Sequence, residues 1–458
     1  MCDLIMEKFV MSRGRSYAAK PHGWIILLLF IILLEKQVIA CLVIPNDASI
    51  RELGFGFGHY IRALLDGRGY INCPGESGHC EFISRMPVLP LLMALLGKLS
   101  DLQLTVAMIK NLLMSLLVWL ALRPLLTPAR QPVCGRWLVA VLLVFAASPP
   151  LLKHAAHVTY EEGLLIELLL IWMVWLLVRL RAGVAAPLVP PRQSDAVLVL
   201  VATLIFLTKS SMVLLWLGTL ALVLAGLRER RAGRAASLVA LLLSGLLVAA
   251  WAAHGWRHTG QLTLMSSFDG SNFLRSWNST AARIYPEVSL DRVVDSPVIT
   301  LADGSRVVNT TLPALPPVSS ETDWQRAYLA AGRAWIAAHP AQALALLAVK
   351  AENFFLSVVK TPGAAWQGPQ GIDGLITSLW LLAGRLMSLW LAWRLLRGPG
   401  PVWTRLLLFA ALMAYAAPYV AGFNYERHIT PFLYLVFVAD LALRQGHAPA
   451  RPRGVTSG

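Results

Sequence analysis

Charged residues are scarce in this chain. They make up 14% of its 458 residues, whereas hydrophobic residues make up 57%. A soluble domain carries about 25% charged residues. The apolar residues recur in runs of about 20, the length that an α-helix needs to cross the hydrocarbon core of a bilayer. The scarcity of charge therefore excludes an ordinary soluble globular protein and predicts an all-α polytopic membrane protein.

Acidic residues are scarcer than basic ones. The chain has 25 Asp and Glu against 40 Lys and Arg, which gives a net charge of +15. In a soluble protein this excess would indicate a nucleic-acid partner. Here the arginines cluster in short segments between the apolar runs, as the positive-inside rule describes for cytoplasmic loops. We therefore expect the lipid bilayer as a partner, and no nucleic acid.

Cysteine is also scarce, with five in the chain, and only Cys73 and Cys80 share a polar loop. In an oxidising compartment a disulfide between them is the favoured interpretation. A metal site that includes His79 is the less favoured alternative, because the spacing matches no strong zinc pattern. We predict no bound metal and no cofactor, although the sequence does not exclude a divalent metal.

The apolar runs predict about ten membrane spans. They lie at about 23–44, 104–122, 137–155, 160–178, 195–208, 212–227, 235–254, 374–393, 404–421 and 428–443. The first run lacks a small-residue cleavage site, so we predict an uncleaved anchor. The apolar stretch 87–99 is too short to cross, and we expect a helix at the outer interface there. This topology places the short basic clusters and both termini in the cytoplasm.

This topology divides the chain into five segments. They are a basic cytoplasmic N-terminus (1–22), a transmembrane core (23–254), an extracytoplasmic loop (255–372), C-terminal spans (373–444) and a cytoplasmic tail (445–458). The core includes a first extracytoplasmic loop, 45–103. The second loop becomes helical from about residue 323, and we expect Pro340 to separate two helices, the second amphipathic. The high alanine and arginine content is typical of bacteria, which predicts the inner (plasma) membrane.

Three polar features within these segments carry expectations of their own. Glu35 and Lys36 are adjacent within the first span, and we expect them to neutralise each other. Glycosylation sequons begin at Asn278 and Asn309, and we expect both to be chance in a bacterial sequence. Arg385 lies in the middle of the eighth predicted span, where it would either pair with a buried carboxylate or extend towards the interface.

Ionisable side chains at membrane depth are costly, so each is a candidate for function. Four of them come from distant segments, and the predicted topology places them together at the outer face: Arg85, Glu162, Lys209 and Arg427. Arg and Lys are the usual ligands of phosphate groups. The group therefore predicts a site for an anionic headgroup. For any single member, interfacial anchoring is the alternative.

The first outer loop supplies isolated carboxylates, Asp47, Glu52 and Asp66. A carboxylate held at the membrane surface can act as a general base towards a hydroxyl or an amine. The alternative is a helix cap or a solvated loop acid. The loop therefore predicts acid–base chemistry beside the anion site.

The order of several motifs resembles the GT-C-fold membrane glycosyltransferases of family 39, the type of protein mannosyltransferases and lipid A aminoarabinose transferases. The matching features are Glu52 after the first span, Tyr60, GRGY at 67–70, RMPVLPLL at 85–92, SPP at 148–150, EGL at 162–164, LTKS at 207–210, His339–Pro340 and YERHITPF at 425–432. They extend over roughly residues 25–440. The family's acid is usually Asp, and here Arg51–Glu52 occupies that region, so the base remains open between Glu52 and Asp47.

The resemblance implies a GT-C-like fold and transfer of a sugar, with inversion, from a polyprenyl-phosphate-linked donor to a protein, lipid or glycan acceptor on the outer face. Glu52 or Asp47 would take the acceptor's proton. Arg85 and Lys209, with Arg427, would bind the donor phosphate. Glu162 would orient the acceptor or one of these cations, and Tyr60 would also belong to the substrate site.

Two other classes of protein would share such a site. A transporter or flippase of a lipid-linked or anionic solute would bind the same headgroup, but transporters commonly show inverted repeats, and this sequence shows none. A polymerase or ligase of lipid-linked glycans would use the same outer face. An assay with an acceptor would separate that enzyme from the predicted transferase.

Overall fold

The computed structural model describes residues 21–73, 80–126, 131–181, 191–229, 234–301, 303–311, 320–356, 371–397, 402–422 and 426–445. Helices dominate this part of the chain, and its one sheet is a two-stranded hairpin. The predicted N-terminal segment and tail, apart from their inner ends, lie outside the described residues, as do His79 and Tyr425. The all-α architecture predicted from composition is confirmed.

The elements follow one another in three groups along the chain. The first helices are α1 (Pro21–Val43), α2 (Phe57–Leu65), α3 (Val88–Gly97), α4 (Gln103–Leu122), α5 (Gln131–Ala146), α6 (Pro149–Ala156), α7 (Glu162–Arg181), α8 (Pro191–Thr208), α9 (Val213–Glu229) and α10 (Arg234–Thr259). Next come α11 (Phe268–Ser276), α12 (Ser279–Ile284), α13 (Arg292–Asp295), β1 (Val298–Thr300), β2 (Arg306–Val308), α14 (Glu321–Ala338) and α15 (Pro340–Phe355). The last helices are α16 (Gly371–Arg397), α17 (Val402–Ala421) and α18 (Glu426–Gln445).

Six helical stretches in the described residues are long and apolar enough to cross a membrane. They are Gly23–Val43, Gln103–Leu126, Glu162–Leu180, Ser210–Leu227, Arg234–Thr259 and Val402–Ala421. A bent pair formed by α5 and α6 would make a seventh span. The structure thus supports a multi-pass membrane protein, and these six or seven candidates, found among the described residues, each coincide with one of the ten predicted spans.

The other three predicted spans also coincide with helices, namely α8, α16 and α18. In α8 the apolar part, Ser194–Thr208, is shorter than the roughly 20 residues that a crossing needs. Helices α16 and α18 lie on the third-last and last predicted spans, and an ion pair joins Arg394 of α16 to Asp440 of α18 at 3.4 Å.

The third predicted span, expected to be continuous, is broken. Helices α5 and α6 meet at an angle of 78°. Ser148, at the break, adopts φ −117° and ψ 87°, and Pro149 and Pro150 follow it. Proline disfavours helical conformation in the residue before it and cannot donate to the preceding turn. The SPP sequence therefore ends one helix and begins another.

Helix α7 lies at the centre of the bundle. Of the residues in its apolar stretch, 94% are buried, and the helix packs against α4, α6, α8 and α18. A helix that is apolar on all sides is expected to be surrounded by other elements. Both ends of α7 are consequently fixed in position by the helices around it.

Lys36 does not pair with Glu35, contrary to the sequence-based expectation. Its ammonium, fully buried, contacts Glu167 at 2.6 Å, Ser115 Oγ at 3.0 Å and the carbonyl oxygen of Asn111 at 3.3 Å. Glu167 lies one turn into α7, which the sequence alone does not place beside α1. The pair ties α1 to the central helix.

Arg385 takes neither of its two predicted roles. It is buried, and its guanidinium donates to the carbonyl oxygens of Phe354 and of Asn353, the latter at 3.4 Å. These carbonyls belong to the last turn of α15, where backbone oxygens lack partners within the helix. Arg385 therefore caps α15 from α16.

The segment α11–α15 has its own hydrophobic cluster, which includes Trp277, Ile284 and Trp335. Asn278 and Asn309 are buried beside it, and their side-chain amides donate to backbone carbonyls at 2.6 Å. Buried asparagines held in this way serve the fold, which agrees with the expectation that the sequons occur by chance.

Two local predictions about the outer loops are confirmed. Cys73 and Cys80 form a disulfide. Helix α14 ends at Ala338, and α15 begins at Pro340, so the expected break between the two helices of the second loop is present.

Candidate functional site

Glu162 lies in the first turn of α7, at the centre of a group of basic side chains. Its carboxylate, 1% exposed, forms an ion pair with Lys209. Arg427 Nε lies 3.9 Å from Oε2, and His428 Nε2 lies 3.3 Å from Oε1. The positive end of the helix dipole favours a carboxylate in this turn. Two predicted cations therefore share one predicted carboxylate.

Lys209 reaches Glu162 because the chain changes direction between α8 and α9. Thr208 ends α8, and Lys209 adopts an extended conformation (φ −148°, ψ 116°) before a 3₁₀ turn at Ser210–Met212. The Thr208 hydroxyl donates to the carbonyl oxygen of Leu204 at 2.7 Å. The polar LTKS motif is therefore a joint between two apolar helices, and it directs the lysine towards α7.

Helix α17 contacts this group of basic residues through two tyrosines. The Tyr415 hydroxyl donates to the carbonyl oxygen of His428 at 2.9 Å, and the His428 ring stacks on Tyr419 with 4.3 Å between centroids. The ammonium of Lys209 lies 5.7 Å from the Tyr419 ring centroid, within the range of a cation–π interaction. These aromatic contacts fix the first turn of α18 beside Lys209.

The first outer loop joins this group through aromatic contacts. The guanidinium of Arg427 lies 4.6 Å above the ring of Tyr160, and the ring of Phe55 lies 4.8 Å from that of Tyr160. Phe55 has φ 60° and Gly56 has φ 77°. A side chain at Gly58 would place Cβ 2.6 Å from a backbone oxygen. The glycines at 56 and 58 therefore permit the tight turn that presents Phe55.

Arg85 connects the first loop to the second. Its Nε donates to the carbonyl oxygen of Phe55 at 2.8 Å, and its guanidinium lies 4.1 Å from the ring centroid of Phe268 in α11. The next residue, Asp269, accepts a hydrogen bond from Ser210 at 2.9 Å. Ser210 follows Lys209 in the chain, and Lys209 pairs with Glu162, so this series of contacts is closed.

We call this closed series of contacts the contact ring. Its members are Phe55, Arg85, Tyr160, Glu162, Lys209, Ser210, Phe268, Asp269 and Arg427. The ring brings together the four residues predicted to form the anion site, Arg85, Glu162, Lys209 and Arg427. It contains three cations and two carboxyl groups, and the side chains of Arg427 and Lys209 are 25% and 16% exposed. Such a cluster is suited to an anion that can engage several cations at once.

Tyr60, predicted as a substrate-binding residue, lies beneath the ring. It is fully buried, and its hydroxyl lies 3.0 Å from Ser84 Oγ. Its ring lies 4.4 Å from that of Tyr70, whose hydroxyl donates to the carbonyl oxygen of Arg85 at 2.9 Å. In this arrangement Tyr60 supports the backbone that carries Arg85.

Asp47 and Glu52, the predicted bases, are both exposed. Glu52 ends a short 3₁₀ turn at Ile50–Glu52. Its neighbour Arg51 forms ion pairs with Asp66 at 2.8 Å and Asp101 at 3.2 Å. In the described residues neither candidate base is joined to the contact ring by a hydrogen bond or an ion pair, and the assignment of a base stays a prediction.

The structure adds a buried carboxylate that the sequence did not indicate. Glu321, at the start of α14, accepts hydrogen bonds from the backbone amides of Phe82 and Ile83, at 2.7 and 3.1 Å, and from the Ser267 hydroxyl. Burial raises the pKa of Glu321, and the hydrogen bond from Ser267 opposes that rise. Glu321 thereby links the segment before Arg85 to the segment before Asp269.

Replacing Glu321 with Ala should loosen the loop 45–103 and the loop 255–372 at once, because Glu321 links them. Three donors lose a charged acceptor, and a hydrogen bond to a charged group contributes about 1.5–3 kcal/mol. We expect a lower midpoint of thermal unfolding and weaker ligand binding at the contact ring. The exposed carboxylate Asp323 lies on the same turn, so Asp323→Asn is the matched control. If Glu321→Ala unfolded at the same temperature as that control, the link would be unimportant.

Comparisons with protein-family models, with curated proteins and with solved structures found no significant match for this chain. In the described residues, no three His, Cys, Asp or Glu side chains are grouped so that they could hold a metal ion. The fold and the site therefore define a class: a helical, multi-pass membrane protein with a cationic cluster at one end of its helix bundle.

Proposed function

We propose that this protein is an integral membrane glycosyltransferase that moves a sugar from a polyprenyl-phosphate-linked donor to a protein, lipid or glycan acceptor. The contact ring is the observation that carries the proposal, because it joins cations from three distant segments: Lys209 and Arg427 contact Glu162, and Arg85 is linked to them through Phe55 and Phe268. The order of the motifs that form the ring, which resembles that of family 39 transferases, favours sugar transfer over other uses of an anion site.

Arg85, Lys209 and Arg427 bind the donor phosphate in this proposal. The donor is a phosphodiester with one negative charge, and the departing polyprenyl phosphate gains a second. Cations placed where charge develops stabilise the transition state, typically by a few kcal/mol for each group. Glu162 keeps Lys209 and Arg427 apart and oriented, since it contacts both.

The proposed reaction is a single displacement. The acceptor's oxygen or nitrogen forms a bond to the anomeric carbon while the bond from that carbon to the phosphate oxygen breaks, which inverts the configuration. The electron pair leaves with polyprenyl phosphate, and a base takes the acceptor's proton. Glu52 is the base that the family resemblance favours, with Asp47 as its alternative. The lipid tail would occupy a groove between spans, and the second outer loop would cover the site.

Removing a ring cation should weaken binding of the leaving group. The probe is a short-chain prenyl monophosphate added to the purified protein, with the corresponding prenyl alcohol as the phosphate-free ligand. We expect Arg85→Ala and Lys209→Ala each to raise the dissociation constant about tenfold, equivalent to about 1.4 kcal/mol. The prenyl alcohol should bind these variants and the wild type alike.

Arg68→Ala is the matched control for charge. Arg68 is an exposed arginine of the same loop that pairs with Asp66 at 3.1 Å, and its removal should leave binding unchanged. Equal phosphate affinity in the wild type and both ring variants would overturn the phosphate site. Ring-dependent binding without transfer from any labelled prenyl-phosphate sugar in a panel with protein, lipid and glycan acceptors would favour a transporter over a transferase.

A further inference from the structure

Asp269 is a half-buried residue of the contact ring, and no sequence motif indicated it. It lies in the first turn of α11, and Ser210 donates to its Oδ1 at 2.9 Å. Its Oδ2 is shielded from solvent and has no hydrogen-bond partner among the described residues. A shielded acceptor atom without a donor destabilises the folded protein. A hydroxyl or amine of a bound acceptor substrate would donate the missing hydrogen bond to Oδ2.

Both basic and acidic side chains lie near Asp269. Lys209 precedes its hydrogen-bond donor Ser210 and favours the ionised carboxylate. Arg85 and Arg275 lie on the ring of Phe268, the preceding residue, at 4.1 and 5.0 Å. From α14, Glu321 contacts the nearby Ser267. Burial outweighs the favourable contacts and raises the pKa of Asp269 to about 6.

We propose that Asp269 is the catalytic base of the transfer, which rests on the glycosyltransferase function proposed above. As the acceptor's oxygen or nitrogen bonds to the anomeric carbon, its proton passes to Asp269 Oδ2. Asp269 becomes neutral while the leaving phosphate gains one negative charge, so the total charge of the site is conserved. The cations of the ring then interact with the phosphate and Glu162, because Asp269 no longer carries a charge that competes for them.

This assignment differs from the two sequence-based candidates in its surroundings. Glu52 and Asp47 are exposed, whereas Asp269 is linked through Ser210 to the cations that would hold the donor. A base works best when its pKa lies near the working pH, and burial brings Asp269 towards that range. Position and environment therefore both favour Asp269.

The test compares Asp269→Asn with Glu52→Gln in the purified full chain. Two measurements are made on each: binding of the short-chain prenyl monophosphate, and the rate of transfer from whichever labelled prenyl-phosphate sugar the wild type accepts. We expect Asp269→Asn to bind the prenyl phosphate and to unfold at a temperature close to that of the wild type, but to transfer about 10²–10⁴-fold more slowly. Asp303→Asn, which alters an exposed acid in the hairpin turn, should transfer normally.

The pH profile separates a base from a merely structural residue. The active form is the carboxylate, so wild-type transfer should fall as the pH drops through about 6. Ser210→Ala removes a hydrogen bond that favours the charged form, so this fall should move to higher pH. In Asp269→Asn the residual rate should lack the fall altogether.

Each outcome decides between the alternatives. Near-normal transfer by Asp269→Asn, or an acidic limb that persists in it, would overturn the inference while leaving the glycosyltransferase intact. If Glu52→Gln alone abolished transfer, the base would be Glu52. A wild type that neither binds prenyl phosphate nor transfers any sugar would instead contradict the proposed function itself.

Discussion

Glu162→Gln should both destabilise the protein and remove most of the proposed transfer activity. The amide cannot neutralise Lys209, whose side chain is only 16% exposed and whose ammonium is paired with the Glu162 carboxylate. Breaking a buried ion pair by removing one partner costs about 3–5 kcal/mol. We therefore expect a clearly lower midpoint of thermal unfolding in detergent or nanodiscs. Lys209 and Arg427 would also lose their shared orientation, so we expect transfer to fall by at least about tenfold, a loss of about 1.4 kcal/mol in transition-state stabilisation.

Glu161→Gln provides a matched control, because it removes a carboxylate from the adjacent, partly buried position. It should change unfolding and transfer much less than Glu162→Gln. The binding assay distinguishes a loss of cation orientation from a loss of positive charge. The Glu162→Gln variant has a more positive contact ring, so prenyl phosphate should still bind it. Equal stability of the two variants would contradict the role given to Glu162.

Lys36→Met should be among the most destabilising single substitutions in the bundle. The change leaves Glu167 buried beside a thioether, and breaking such a pair costs about 3–5 kcal/mol. We expect a large fall in the unfolding midpoint. The double variant Lys36→Met, Glu167→Gln should recover much of the loss, because no uncompensated charge remains.

Glu35→Gln tests the same point from the neighbouring position. If Lys36 paired with Glu35, as the sequence suggested, removing Glu35 would harm the fold and Glu167 would matter little. The 2.6 Å contact between Lys36 and Glu167 predicts the reverse. A double variant less stable than Lys36→Met alone would contradict the pairing.

Much of the fold could be predicted from sequence, because membrane helices follow from local composition. Candidate spans such as Gly23–Val43 and Arg234–Thr259 are each a mainly apolar run, and the cost of unpaired backbone groups in lipid leaves a helix as the available structure. The partners of polar residues within the helices could not be predicted in this way. Helices α16 and α18 carry Arg394 and Asp440, whose pairing only the packed structure displays.

The candidate site was predictable in part for a different reason. Arg85, Glu162, Lys209 and Arg427 are ionic residues in an apolar chain, so the cost of placing them near a membrane marks each one in the sequence. Their convergence depended on topology, which the distribution of basic residues indicated. The structure brings the four together through Tyr160 and through Phe55 and Phe268, and the sequence did not single out the two phenylalanines.

Asp269 and Glu321 could not be predicted, because what distinguishes them is long-range. Both lie in a polar outer loop, where an acidic residue is ordinary. Ser210 lies 59 positions before Asp269, and Phe82 lies 239 positions before Glu321. The stretch that contains Asp269, FDGSNF at 268–273, lies near the start of the second loop, after the preceding predicted span. Without contacts, nothing separated that acid from the others of the loop.

A density map of the full chain with a prenyl monophosphate bound tests most directly whether the contact ring holds a lipid-linked phosphate. The account predicts phosphate oxygens about 3 Å from the guanidinium of Arg85 and from Nζ of Lys209, the distance of charge-assisted hydrogen bonds. It also predicts that the prenyl chain extends from there between membrane helices. A phosphate group bound away from the ring, with Arg85 and Lys209 still contacting only Phe55, Phe268 and Glu162, would contradict it.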